Sequence, residues 1–360
     1  MSVDNGRNLI LTADVLTLGS KADGLAGTGL VVLQPMSDAT AMSLGQTGTT
    51  FDVTADEANT LSANFSKVIV GRGQDADFDS GSNGNNAVTI GTIAFKSPLS
   101  VRANGAAGTI NVNGTLASGI RGGHLSLTAG GDVNVSGTVR AARSGNVNIA
   151  SDVDSNGRGI VRVSGTERAS ISTRSGNVTI VGPSVRVGSD TAAASIATRN
   201  GTVQLGTYSR RGSVVVANGK TTIDGANIVI AAGTDGTVNP SYVHLEGTYN
   251  ATGGVRVAAG YDAELVNARL VGDTGVNVSA ANDLTSNNAT LVARTGSVQF
   301  KADSDGDKNG TATPVDTRVS QPGSMVLRTR VNETRLPATI VPGSRAAKRT
   351  WSWATIPPRA

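Results

Sequence analysis

The sequence predicts an all-β chain wound as a right-handed parallel β-helix (a solenoid), with one short helix near 54–63 and an irregular C-terminal tail. Three observations carry this. A short phrase keeps returning: Arg143-Ser144-Gly145-Asn146-Val147-Asn148-Ile149, then Arg174 to Ile180, Arg199 to Leu205 and Arg294 to Phe300, with a looser copy from Arg210 to Val216. Gly in each copy stands where a side chain would clash, and the alternating tail is a strand with one face buried. Longer matches recur at fixed offsets. Gly108–Leu116 returns as Gly131–Val139 after 23 residues, Ser170–Ile180 as Ser195–Leu205 after 25, and Asn267–Val271 as Asn288–Val292 after 21. Units of that size hold two or three short strands and leave no room for a helical crossover, so each is one turn of a solenoid. The composition agrees: apolar residues are only 38% and aromatic residues 3% of 360, and the dominance of small residues suits a narrow, regularly stacked core. Parallel strand connections wind right-handed, and the repetitive part is long enough for roughly 10 to 14 rungs.

Element by element, Leu9–Leu11, Val15–Leu18 and Leu30–Leu33 are short apolar runs between glycines and read as strands. Thr54 with Glu57 three residues on is a capping box, and Ala55, Ala58, Leu61 and Phe65 follow at helical spacing. The strand Lys67–Gly71 comes next, then a polar loop over 73–86. The chain thus divides into N-terminal rungs with the helical insert and loop (1–86), dense repeats (87–302), and an Asp/Gly loop followed by a basic, Pro-rich tail (303–360). Asn111, Asn134, Asn148 and Thr179 alternate with the apolar positions and are expected to face outward.

Net charge is +4, scattered rather than gathered into a basic stripe with aromatic residues, so no nucleic-acid partner is expected. There is no Cys, which excludes disulfides and thiolate metal sites. No apolar run approaches membrane-spanning length, and Met1–Arg7 shows no signal peptide. A chain of this kind acting outside the cell is expected to be a fragment or to lack its leader.

The Gly-x-Val-x-Val/Ile/Leu rungs, the Asn- and Thr-rich outward positions and the lack of Cys resemble the filamentous haemagglutinin family of large bacterial exoproteins. The segment from Ala55-Asp56-Glu57-Ala58 to Val68-Ile69-Val70-Gly71-Arg72 is also similar to an insert of such exoproteins, with Asn64 where they carry Gly. The resemblance covers residues 8–302. The secretion domain of the two-partner type is missing from it. It implies a non-catalytic structural or adhesive segment of a secreted or cell-surface protein. Its partner would be a host or neighbouring-cell surface glycan or protein, with an outer-membrane secretion partner if the chain is part of a longer one.

Several residues invite a sharper reading. Asp305-Gly306-Asp307-Lys308-Asn309-Gly310 fits Asp-x-Asp-x-Asn-Gly, with Thr311 at position seven and Asp316 at position twelve. Oxygen ligands at that spacing converge on Ca2+ when Gly permits the turn. The flanks are not helical and Pro314 interrupts, so a solvated Asp/Gly/Asn loop is the other reading. Arg143, Arg174, Arg199, Arg210 and Arg294 are read as arginines tolerated at exposed turns, covering apolar surface with their stems. Their unequal offsets argue against one basic ladder for an acidic glycan. His124 and His244 stand in no metal-ligand spacing. A β-helical polysaccharide lyase or hydrolase is the rival function. It would need carboxylates clustered over successive rungs, and the acids here are sparse, although Asp262 and Asp283 lie one unit apart. A third reading is a fragment of a larger secreted protein whose function lies elsewhere.

Overall fold

A computed structural model shows an all-β parallel β-solenoid of about 11 turns with one short helix. It describes residues 2–3, 6–73, 84–119, 123–166, 168–207, 213–233, 241–306, 310–322 and 326–328. The polar loop expected over 73–86 falls mostly outside these residues, as does nearly all of the basic tail. The chain divides into two compact units, 1–201 and 202–360.

From Lys67 onward in the first unit each turn carries three strands, and each strand pairs in parallel with its counterpart on the neighbouring turn. The first face runs through Leu30–Gln34, Lys67–Arg72, Leu99–Ala103, Leu125–Ala129, Val147–Ala150 and Val178–Val181. The second includes Thr109–Val112, Val133–Val135 and Ile160–Val163. The third is built from Ile93–Phe95, Thr115–Ser118, Thr138–Ala141, Arg168–Thr173 and Ala193–Thr198. Alternation along each strand sends apolar side chains inward. Register then stacks like on like, so that Val31, Val68, Leu99, Leu125, Val147 and Val178 form one buried column. No single turn could bury this column; neighbours about 4.8 Å away do so for one another.

The repeated phrase is the corner that enters the first face. A Cβ on Gly145, Gly176 or Gly201 would collide with the carbonyl oxygen of the glycine one turn earlier: Gly123, Gly145 and Gly176 respectively. None of the three has a positive φ. They are glycine because backbone passes over backbone there, not because the turn is left-handed. The threonine just before the arginine of the phrase, at Thr173 and Thr198, is also used. Thr173 Oγ1 donates to Gly145 O and Thr198 Oγ1 to Gly176 O, each at 2.7 Å, and both threonines are buried.

The helix α1 covers Ala55–Thr60, with the capping box of Thr54 and Glu57 formed as the sequence predicts. It is shorter than 54–63 because Leu61 turns extended, with φ −77° and ψ 128°, and forms a parallel bridge with Leu25. Among the described residues no helix is long and apolar enough to cross a membrane.

The second unit keeps the plan but fuses two faces. Its first face is Thr202–Thr207, Asn227–Ala232, Gly254–Ala259, Gly275–Ala280, Ser297–Lys301 and Val326–Arg328. The other two faces are separate strands at Val214–Ala217 and Thr221–Gly225, and single long strands at Tyr242–Ala251 and Asp262–Gly272. They separate again at Leu284–Asn287 and Thr290–Ala293. The bend inside the long strands is made by Gly247 (φ 92°) and Asn267 (φ 51°), and Asn288 (φ 51°) holds the equivalent place one turn on. Asn tolerates the left-handed region through local hydrogen bonding, and Asn288 Nδ2 donates to Asn267 Oδ1 at 2.8 Å.

The corner makes a direct prediction. Gly176→Ala forces the backbone of Gly145 aside, and overpacking of this kind is expected to remove about 1–3 kcal/mol of stability. A urea or thermal midpoint equal to that of the unaltered chain would show that the corner is loose.

Candidate functional site

The outward positions are polar, as expected for Asn111, Asn134, Asn148 and Thr179, all half-buried. Asn134 Nδ2 donates to Asn111 Oδ1 at 2.9 Å one turn away. Many of the remaining polar side chains guard strand entries. Asn146 Oδ1 accepts from Asn177 N at 2.9 Å, and His124 Nδ1 accepts from Asn146 N at 3.1 Å. Asp132 Oδ1 accepts from Ile160 N at 2.8 Å, Asp262 Oδ1 from Asp283 N at 3.0 Å, and Asp283 Oδ1 from Thr311 N at 2.9 Å. The stacked pair Asp262 and Asp283 is thereby explained as strand-end acceptors, and His124 plays the same part.

The proposed calcium loop is described only in part. Asp307 and Asn309 lie outside the described residues. Thr311 and Asp316 flank the strand Ala312–Val315. Five residues of extended chain put them about 16 Å apart along it, too far for one ion. Thr311 Oγ1 instead donates to Asp283 Oδ1 at 2.8 Å. Asp316 has φ 47° and occupies the left-handed corner held by Asn267 and Asn288 on earlier turns. Asp305 is described, and of the positions meant to meet it Thr311 and Asp316 lie at opposite ends of that strand. The same spelling, Asp152-Val153-Asp154-Ser155-Asn156-Gly157, occurs once more and escaped the sequence reading. There the turn satisfies itself: Asp152 Oδ1 accepts from Gly157 N at 3.0 Å and Asp154 Oδ2 from Asn156 Nδ2 at 2.6 Å. Among the described residues no group of three or more His, Cys, Asp or Glu is placed to hold a metal ion.

Arginines of the repeated phrase do line up in the first unit. Ser175 N donates to Arg143 O at 2.8 Å and Arg199 N to Arg174 O at 3.0 Å, which sets the three arginines on successive turns. The unequal offsets are taken up by loops elsewhere in each turn. Arg143 and Arg174 edge a groove of about 710 Å3 over the third face. Its floor is the outward row Ala94, Ala117, Arg140 and Ser172, in register over four turns. Lys96 and Asn59 close one end. Lys96 is tied down, 2.8 Å from Asp23 and donating to Asn59 O at 2.9 Å. The guanidinium groups of Arg140, Arg143 and Arg174 are exposed and, among the described residues, have no hydrogen-bond or ion-pair partner. Arg294, by contrast, pairs with Asp273 at 2.7 Å in the second unit, and Arg210 lies outside the described residues.

A second cluster, missed by sequence reasoning, sits on the second unit. Tyr242, His244 and Glu246 alternate along one strand, and register places Asp262 and Glu264 beside Tyr242 and His244. His244 lies between two carboxylates, with Nδ1 2.9 Å from Glu264 Oε2 and Nε2 3.2 Å from Glu246 Oε1. Tyr242 donates its O–H to the same Glu264 oxygen. That hydrogen bond, helped by the one from His244, holds the Glu264 carboxyl below its ordinary value against the opposing effect of burial. The Tyr242 hydroxyl is pushed up, first by burial and then by Glu264. The signal was available: Tyr-x-His-x-Glu shares one face, and Asp-x-Glu follows twenty residues on. The arrangement can relay a proton, but it stands on an open strand face.

Because the folded Glu264 value is depressed, its stabilising contribution is present above the unfolded value near 4.5 and is lost as pH falls through the folded one. Glu264→Gln should flatten the acid side of a plot of denaturation midpoint against pH between about 5 and 3. Identical slopes for the two proteins would remove Glu264 from the account.

No protein-family model, no curated protein and no solved structure matches this chain.

Proposed function

We infer that the chain is a non-catalytic structural and adhesive segment of a bacterial secreted or cell-surface exoprotein, of the filamentous haemagglutinin-like kind. Binding is spread over the outward polar faces. The observation that carries the reading is the groove over the third face: unpartnered guanidinium groups held on a stacked, hydrogen-bonded floor. The backbone that carries these cations is already ordered, so binding has only side chains to immobilise. The partner is a glycan or protein of a host or neighbouring cell, and an outer-membrane secretion partner would serve a longer chain.

The second reading, a β-helical polysaccharide lyase or hydrolase, is favoured by one observation. His244 stands between Glu246 and Glu264, an arrangement suited to moving a proton.

One assay separates the two. Beads carrying the purified chain are offered fluorescent bacterial and host cells and a panel of soluble polysaccharides. The adhesive reading expects retention of cells or glycans with no shortening of any polymer. Shortening that disappears in His244→Ala would replace it with the enzymatic one.

A further inference from the structure

We propose that the groove over the third face of the first unit is a binding site for a linear polyuronate, an acidic polysaccharide with a carboxylate on every sugar. The inference rests on the reading of the chain as a binding segment and names the ligand of that site. Three free cations converge there. Arg140 rises from the middle of the floor, and Arg143 and Arg174 stand on successive turns at its edge. Their partners in the folded chain are missing among the described residues, so each guanidinium is available to an incoming anion. The one described carboxylate bound to a cation at the groove is that of Asp23, which holds Lys96 at the closed end.

The shape and spacing select the anion. Turns repeat about every 4.8 Å, so Arg143 and Arg174 offer forks at that repeat. A polymer charged on each sugar presents carboxylates at a repeat of the same order. From the turn of Lys96 to that of Arg174 the floor extends about 14 Å, room for several sugars in line. A guanidinium fork takes a carboxylate through two parallel hydrogen bonds, which favours a planar anion over a point charge. The floor residues Ala94, Ala117 and Ser172 are small, letting sugar rings settle between the arginines. Nothing on that floor is an aromatic platform of the sort that holds unstacked bases. The direction of the groove also matters: it follows the stacking axis of the turns, so the ligand crosses turns as an extended strand of polymer.

The test is isothermal titration of the full chain with an oligogalacturonate, with its fully methyl-esterified counterpart, with dextran sulfate and with a single-stranded oligonucleotide. Saturable binding of the oligogalacturonate alone is expected, weakened about tenfold or more in Arg140→Ala/Arg143→Ala/Arg174→Ala. The matching triple Lys variant keeps the charge and loses the forks, and should recover only part of the affinity. All three positions are exposed, so unchanged circular dichroism and melting will establish that the variants fold. Absence of binding by the unaltered chain, or equal binding by the Ala variant, overturns the site while the cell-retention assay keeps the adhesive reading. Equal binding of dextran sulfate or oligonucleotide overturns the choice of carboxylate. Shortening of the oligogalacturonate by the unaltered chain overturns the non-catalytic reading and leaves the groove as a substrate site.

Discussion

Backbone lying directly on backbone is the constraint from which the rest of this structure follows. At the corner entering the first face, Gly145, Gly176 and Gly201 each sit against the carbonyl of the turn before, with no space for a Cβ. Close approach brings the strands into ladder register, and register stacks the valines and leucines into closed columns. It also leaves glycine carbonyls turned away from the regular ladder, and the hydroxyls of Thr173 and Thr198 accept the task of pairing them. A buried carbonyl without such a partner would weaken the fold by an amount comparable to a lost hydrogen bond.

What was legible in the sequence was whatever repeats at constant spacing. The offsets of 23, 25 and 21 residues equal the register of the ladders, as Ile110 with Val133, Ile171 with Ile196 and Leu270 with Leu291 show. The capping box of α1 was legible because its chemistry is local. Sites were less so, because they form between turns whose loops differ in length. Arg143 and Arg174 are 31 residues apart and Arg174 and Arg199 are 25 apart, yet they occupy neighbouring turns. Counting along the chain hides what stacking reveals. Asp316 shows the opposite error: a motif position fitted the spacing of a calcium loop, but the residue is the left-handed corner that Asn267 and Asn288 make elsewhere.

The solenoid presents its chemistry on open faces, not in an enclosed cleft. The groove of the first unit and the Tyr242–His244–Glu264 cluster of the second are both rows of outward side chains fixed by the strands beneath. The backbone beneath such rows is already ordered on both sides, so a ligand has only side chains to immobilise. A long, regular ligand gains most from this, since successive turns repeat the same contact.

Most strand-entry acceptors serve the turn after their own, although Gln321 serves Val298 of the turn before. Asn8 serves Leu30, Asn85 serves Ala107, His124 serves Asn146, Asn146 serves Asn177, Asp262 serves Asp283 and Asp283 serves Thr311. In each pair the acceptor belongs to the earlier turn and the N–H to the later. Loss of one such side chain would therefore leave an N–H of the neighbouring turn unpaired, so a single substitution at a corner is felt by two turns.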